Sequence, residues 1–179
     1  MHNAPSWNTL QAPLYTLSQI VVGMSIAGQA FGTDSGTLTS GGTAQQMVMQ
    51  LTNPIGSGVL AILDQMEITV NTTTLAVFAA KFDATAAGLT SITPYNLNSG
   101  STRTSQLTAA AAGGAGVSLT GGTTLITHYV DVNDEYYPFP IVVAPGHTFG
   151  TVYTFSASGN GGTFQFRWYE IPPNNGFAL

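Results

Sequence analysis

Apolar residues that recur with a period of two, glycine and proline clusters between these runs, and almost no helical spacing predict an all-β chain. The count comes to about eight to ten short strands, the sequence form of an antiparallel β-sandwich, with a jelly-roll-like arrangement preferred. A length of 179 residues fits one domain, placed here at 18–171. A chain of this size buries about 70% of its unfolded surface, so its core needs neither a disulfide nor a metal.

In chain order, residues 1–17 read as an extended N-terminal arm carrying Trp7 and Tyr15 outside the strands. Ile20, Val22, Met24 and Ile26 fall on one face of a first strand, and Met47, Met49 and Leu51 alternate with Gln46, Val48 and Gln50 in the next. The turn signal Asn53-Pro54-Ile55-Gly56-Ser57-Gly58 precedes a long strand from Val59 to Val70. Asn71 to Thr74 then suits a hairpin loop, which would pair that strand antiparallel with Leu75 to Phe82. Between 85 and 122 the pattern weakens into Thr, Ser, Ala and Gly. The run from Ala109 to Gly116 reads as part of a long excursion loop, since each of its glycines costs a helix about 1 kcal/mol.

Further on, Ile126, His128, Val130 and Val132 share a face, and Val152 to Phe155 makes another strand. Phe164, Phe166 and Trp168 line the last one, so aromatic residues should fill much of the core. Residues 172–179 form a C-terminal tail that contains Phe177. No repeat at about 20 to 50 residues points to a solenoid or propeller.

The charged fraction is 6%, against about 25% in ordinary soluble domains, and only Lys81, Arg103 and Arg167 are basic. A net charge of −5 leaves no basic patch for phosphates, so direct nucleic-acid binding is not expected. Polar cover built from Thr, Ser, Asn, Gln and Gly is the surface of an assembly component or an extracellular one. The beginning of the sequence lacks a basic and apolar leader, and its longest apolar runs fall short of the roughly 20 residues a membrane helix needs. Neither secretory export nor membrane insertion is expected. Cysteine is absent, which excludes disulfides, thiolate nucleophiles and zinc-thiolate sites.

His128 in a strand and His147 after Pro145-Gly146 could each serve as a base or a ligand, but neither Gly-x-Ser-x-Gly nor His-Glu-x-x-His accompanies them. Both are read as structural. The cluster Asp131-Val132-Asn133-Asp134-Glu135 carries oxygen ligands, so calcium near Asp131, Asp134 and Glu135 is an open alternative to solvated carboxylates, although the pattern is not that of an EF-hand. Asp64 and Glu67 are the carboxyl pair a glycosidase would need; their odd separation puts them on opposite faces of a strand unless a bulge intervenes. The glycine clusters are turns, with no Gly-Lys-[Ser/Thr] after them, and Asn71-Thr72-Thr73 matters as a sequon only in a secreted eukaryotic protein. No catalytic residue, metal or cofactor is therefore assigned. Tyr136, Tyr137 and Phe139, set among prolines, offer rigid contact area for an interface or a sugar, or cap the core. Trp7, Tyr15, Tyr136, Tyr137, Phe139 and Phe177 are the candidate interface residues.

The segment Leu51-Thr52-Asn53-Pro54-Ile55-Gly56-Ser57-Gly58 before a long apolar strand resembles small virion-associated proteins of tailed bacteriophages. So does Pro140-Ile141-Val142-Val143-Ala144-Pro145-Gly146-His147, followed by two strands and Phe166-Arg167-Trp168-Tyr169-Glu170. The resemblance, over about Gln46 to Glu170, is to capsid decoration (cement) or head-fibre proteins and identifies no catalytic residue. It implies a homo-oligomer, a homotrimer in preference to a dimer, made in the host cytoplasm and seated on the phage major capsid protein at the head surface. Its alternatives are a tail or head-fibre module that binds host carbohydrate, and a single-jelly-roll major capsid protein.

Overall fold

The computed structural model describes residues 22–71, 76–130, 134–137 and 141–172. Residues 22–26 are helical, not the strand that the spacing of Val22, Met24 and Ile26 predicts. A period of two over so few residues also fits part of a helical turn, and Val22 and Ile26, four apart, are both exposed here.

Among the described residues fifteen strands follow: β1 (Ala30–Asp34), β2 (Leu38–Ser40), β3 (Gln46–Thr52), β4 (Leu60–Asn71), β5 (Ala76–Phe82), β6 (Thr85–Ala87), β7 (Thr90–Ile92), β8 (Tyr95–Asn96), β9 (Thr108–Gly114), β10 (Ser118–Thr120), β11 (Thr123–Val130), β12 (Asp134–Tyr137), β13 (Ile141–Val143), β14 (Thr148–Phe155) and β15 (Asn160–Ile171). The number exceeds the expected eight to ten because six of them are only two or three residues long. One antiparallel sheet has the order β12-β4-β15-β1-β8, with β13 extending the β12 edge of β4 and β2 pairing β15. The other runs β11-β5-β14-β3-β9-β7.

The two sheets bury one apolar layer between them. Phe31, Leu63, Met66, Ile68, Phe164, Phe166 and Trp168 of the first meet Met47, Met49, Leu51, Phe78, Phe149, Tyr153 and Phe155 of the second. Inward residues on β15 alternate with outward ones along nearly its whole length, as the sequence predicts. Tyr153 and Phe164, from opposite sheets, stack with centroids 5.6 Å apart, and Phe149 meets Phe166 at 5.6 Å. The aromatic core is thus the feature that joins the sheets.

The expected hairpin between β4 and β5 does not form. β4 pairs with β12, β13 and β15 in one sheet, while β5 pairs with β11 and β14 in the other. Both strands carry an inward apolar row, and crossing between sheets lets each row face the other, which a flat hairpin would not.

Within the excursion of 85–122 five strands form, β6 to β10, with a loop kept over 97–107. The alanine run forms β9, which adds to β3 and carries β7 on its far side. Alanine is a poor strand former in isolation, but Ala109 and Ala111 are buried in the core, so packing overrides propensity. β6 and β10 pair with each other and lie over the outer face of the second sheet, where Val48, Ala79, Ala84, Leu119 and Val152 form a second small core. This explains why Val48, on the face that alternation assigns to solvent, is buried. The outward glutamines fix the cover: Gln46 Oε1 accepts from Leu119 N–H at 3.0 Å, and Gln50 Nε2 donates to Ala84 O at 2.8 Å.

Asn53 and Glu170 brace one end of the sandwich, where Val143 and Glu170 both pair with Ala61 of β4. Asn53 is buried, and its Nδ2 donates to Val59 O (2.9 Å) and Val143 O (2.8 Å), tying the turn after β3 to the end of β13. Glu170 is also buried; its carboxylate accepts from Ser105 Oγ (2.5 Å), Gln106 N–H (3.0 and 3.1 Å) and Trp168 Nε1 (3.2 Å), which pins the loop before β9. Among the described residues no helix is long and apolar enough to cross a membrane.

Candidate functional site

Of the six residues singled out as interface candidates, Trp7, Tyr15, Phe139 and Phe177 lie outside the described residues. Tyr136 and Tyr137 lie on β12, registered with Glu67 and Met66 of β4. Asp131 also falls outside, as do Thr72 and Thr73 of the sequon, the 1–17 arm and residues 173–179. Asp134 and Glu135 belong to β12, and no metal-holding group of acids and histidines occurs among the described residues. His128 stands half-buried on β11 with its ring 5.0 Å from that of Phe78, a packing contact.

His147 and Asp83 come together although 64 positions separate them. Their side chains meet at 2.9 Å (Nδ1 to Oδ2), while Thr148 N–H donates to the other carboxylate oxygen at 3.0 Å. That backbone hydrogen bond, and secondarily His147, hold the Asp83 carboxyl below its ordinary pKa. Asp83 adopts φ of 52°, which a short polar side chain tolerates better than most. The pair borders a shallow depression of about 350 Å³ with Phe82, Thr123, Val142 and Ala144. Both side chains are about half exposed. The pair ties the turn after β5 to the turn before β14, a clip between two turns.

The more extensive polar arrangement is the outer face of β1, β15 and β4, which sequence reading did not assemble. On β4 the register slips, so that Arg167 faces Gln65 while Trp168 faces Leu63, leaving Asp64 as the extra residue of a bulge. The bulge brings Asp64 onto the same outer face as Gln65 and Glu67. The expectation that Asp64 and Glu67 lie on opposite faces therefore meets its stated exception.

Planar polar groups are paired across the strands. Arg167 Nη1 donates to Gln65 Oε1 (3.1 Å), Gln65 Nε2 to Glu67 Oε2 (3.5 Å), Gln165 Nε2 to Asp34 Oδ2 (3.1 Å) and Tyr169 OH to Asp64 Oδ2 (3.5 Å). Partial burial raises the Tyr169 hydroxyl above its ordinary pKa, and the Asp64 charge adds to this, so the phenol stays a proton donor. Tyr95 is registered with Gly32 of β1 and remains 45% exposed. Along the same strands a depression of about 390 Å³ opens over Gly161, rimmed by Thr37, Thr39, Thr69 and Thr163.

The alternation Thr163, Gln165, Arg167, Tyr169 was available as a signal, since these residues interleave with the core aromatics. Their partners were not, because Arg167 and Gln65 are 102 positions apart. The two carboxylates on β4 sit on an open sheet face, and neither depression is lined by them. The arrangement is suited to recognition by hydrogen bonding. Comparison of the chain with protein-family models, with curated proteins and with solved structures finds no match in any of the three.

Proposed function

We propose that this protein is a non-enzymatic structural component of a phage virion, a capsid decoration protein that assembles as a homo-oligomer and stabilises the head by bridging capsid subunits. The observation that carries the reading is a large apolar side chain held out on an ordered turn at one end of the sandwich. Ile55 is 91% exposed there, at the apex of the turn after β3. Asn53 anchors that turn through the hydrogen bonds to Val59 and Val143, and Gly146 N–H donates to Asn53 O at 2.8 Å, so the Asn-Pro and Pro-Gly turns form one unit. A large apolar side chain on a pre-ordered turn loses little entropy on docking, so Ile55 is suited to be a contact residue.

Two further features support it. Numbering β1, β3, β4, β5, β11, β12 with β13, β14 and β15 from one to eight, and leaving β9 and the shorter strands as additions at the edges, the sheets have the orders six-three-eight-one and five-four-seven-two. We read this order as jelly-roll-like, an architecture that viral capsid and lectin domains share. Contacts made by a surface with so few charges depend little on salt, and repetition over a symmetric lattice multiplies weak ones into firm attachment.

Immunogold electron microscopy of purified virions with an antibody to this chain tests the proposal. Label over the head, lost when the particles carry Ile55→Asp protein, is the expected result. Label at the tail tip would replace the reading with host recognition, and absence from particles would overturn it.

A further inference from the structure

We infer that the outer face of β1, β15 and β4 is a binding site for a neutral oligosaccharide. The inference is independent of where the protein sits on a particle. The chain has only three basic and eight acidic residues, yet Asp34, Asp64, Glu67 and Arg167 share this one face. These four of the chain's eleven charged residues pair with one another or with neighbouring amides and a phenol across exposed strands, where such pairs add little to stability.

The register builds a platform. Tyr95, Gly32, Arg167 and Gln65 form one row across four strands, and Asp34, Gln165 and Glu67 form the next. Neighbouring strands lie about 4.8 Å apart and alternate residues of a strand about 7 Å apart, so these rows offer polar groups at the scale of linked sugar rings. The Tyr95 ring lies over Gly32, where an added Cβ would come within 2.9 Å of Cε2. A side chain at this position would have to displace the ring, so glycine lets it rest on the strand. Seated in this way, Tyr95 is a fixed aromatic surface with little entropy left to lose on binding.

The chemistry selects the ligand. A sugar hydroxyl both donates and accepts, and the face offers carboxylates, amides, a guanidinium and a phenol whose mutual pairings fix their positions while leaving further donor and acceptor capacity. The C–H face of a pyranose matches the tyrosine ring. Three carboxylates to one guanidinium disfavour anionic glycans and phosphates. The threonine-rimmed depression over Gly161 continues the face past the Gln165 row, giving room for more than one sugar unit.

The test uses the full chain on an array of neutral and acidic oligosaccharides, followed by amide-resolved NMR titration with the strongest neutral binder. The expected result is preference for neutral glycans, with shifts at Gly32, Gln65, Gln165 and Arg167. Tyr95→Ala should weaken binding about tenfold or more, whereas Tyr129→Ala, 70% exposed on the other sheet, should leave it unchanged. Because Tyr95 also covers Gly32, Gln165→Ala and Arg167→Ala supply variants with no such packing role, and each should reduce affinity in a chain whose spectrum is otherwise native. Capture of acidic glycans alone, no neutral glycan bound, or binding insensitive to all three face variants would overturn the assignment. None of these outcomes touches the head-location reading, which is decided on particles.

Discussion

Replacing Asn53 by Ala removes a brace whose energy can be worked from its contacts. The side chain is fully buried and its amide donates to Val59 O and Val143 O at 2.9 and 2.8 Å. A neutral hydrogen bond contributes about 0.5–1.5 kcal/mol net, and a buried acceptor deprived of its donor costs about 1–3 kcal/mol. With partial relaxation, the loss should be about 2–4 kcal/mol, a large part of the roughly 5–15 kcal/mol that holds a typical domain together. Asn53→Asp adds a sharper test. At neutral pH the introduced carboxylate would face two carbonyl oxygens with no proton to donate, so it should be less stable than the alanine variant. Its folded-state pKa would be raised above the unfolded value of about 3.9, because the charged form is disfavoured. Any stability regained is therefore present below that value and lost as pH rises through the folded one. Urea denaturation followed by circular dichroism and by the fluorescence of buried Trp168 measures both, with unchanged m-values as the check that only stability moved. A loss under about 0.5 kcal/mol for Asn53→Ala, or an aspartate variant that gains nothing on acidification relative to wild type, would refute the account of this turn.

Two other predictions concern the turns. The Asp83 carboxyl is held below its ordinary pKa by Thr148 N–H and then by His147, so its contribution to stability is present above about pH 3.9 and lost as pH falls through the folded value. Asp83→Asn, which tolerates the same positive φ, should flatten the acid limb of a melting-temperature profile while leaving the neutral fold intact; an unchanged limb would count against it. Gly122 and Gly159 both have positive φ, 69° and 81°, but an added Cβ at Gly122 would overlap Phe82 O and Ala84 N, whereas at Gly159 it meets nothing. Gly159→Ala should cost about 1 kcal/mol from backbone strain alone and Gly122→Ala at least about 1 kcal/mol more, compared by denaturation; equal costs would refute the packing argument.

Part of the site was legible in the sequence and part was not. Asn53-Pro54 and Pro145-Gly146 stand out as turns, yet nothing local shows that Asn53 reaches Val143, 90 positions away. Asp64 and Glu67 could be paired on one face only through a bulge, and the bulge appears because β4 must keep Leu63 and Met66 in the core on either side of it. The tyrosines beside the prolines of 136–140 drew attention by composition, whereas Tyr95, in a weakly patterned stretch, became notable only through its position over Gly32.

By itself the sequence determined that the chain is all-β, that its inward rows are aromatic and aliphatic, and that its surface carries few charges. These follow from the period-two pattern and from composition, which are local or additive properties. Tertiary structure decided which strands pair, that β4 and β5 separate into different sheets, and that an alanine run becomes a strand and the excursion a lid over Val48. Pairing partners a hundred residues apart are selected by the total apolar area two sheets can bury against each other, and that quantity belongs to the assembled fold rather than to any segment.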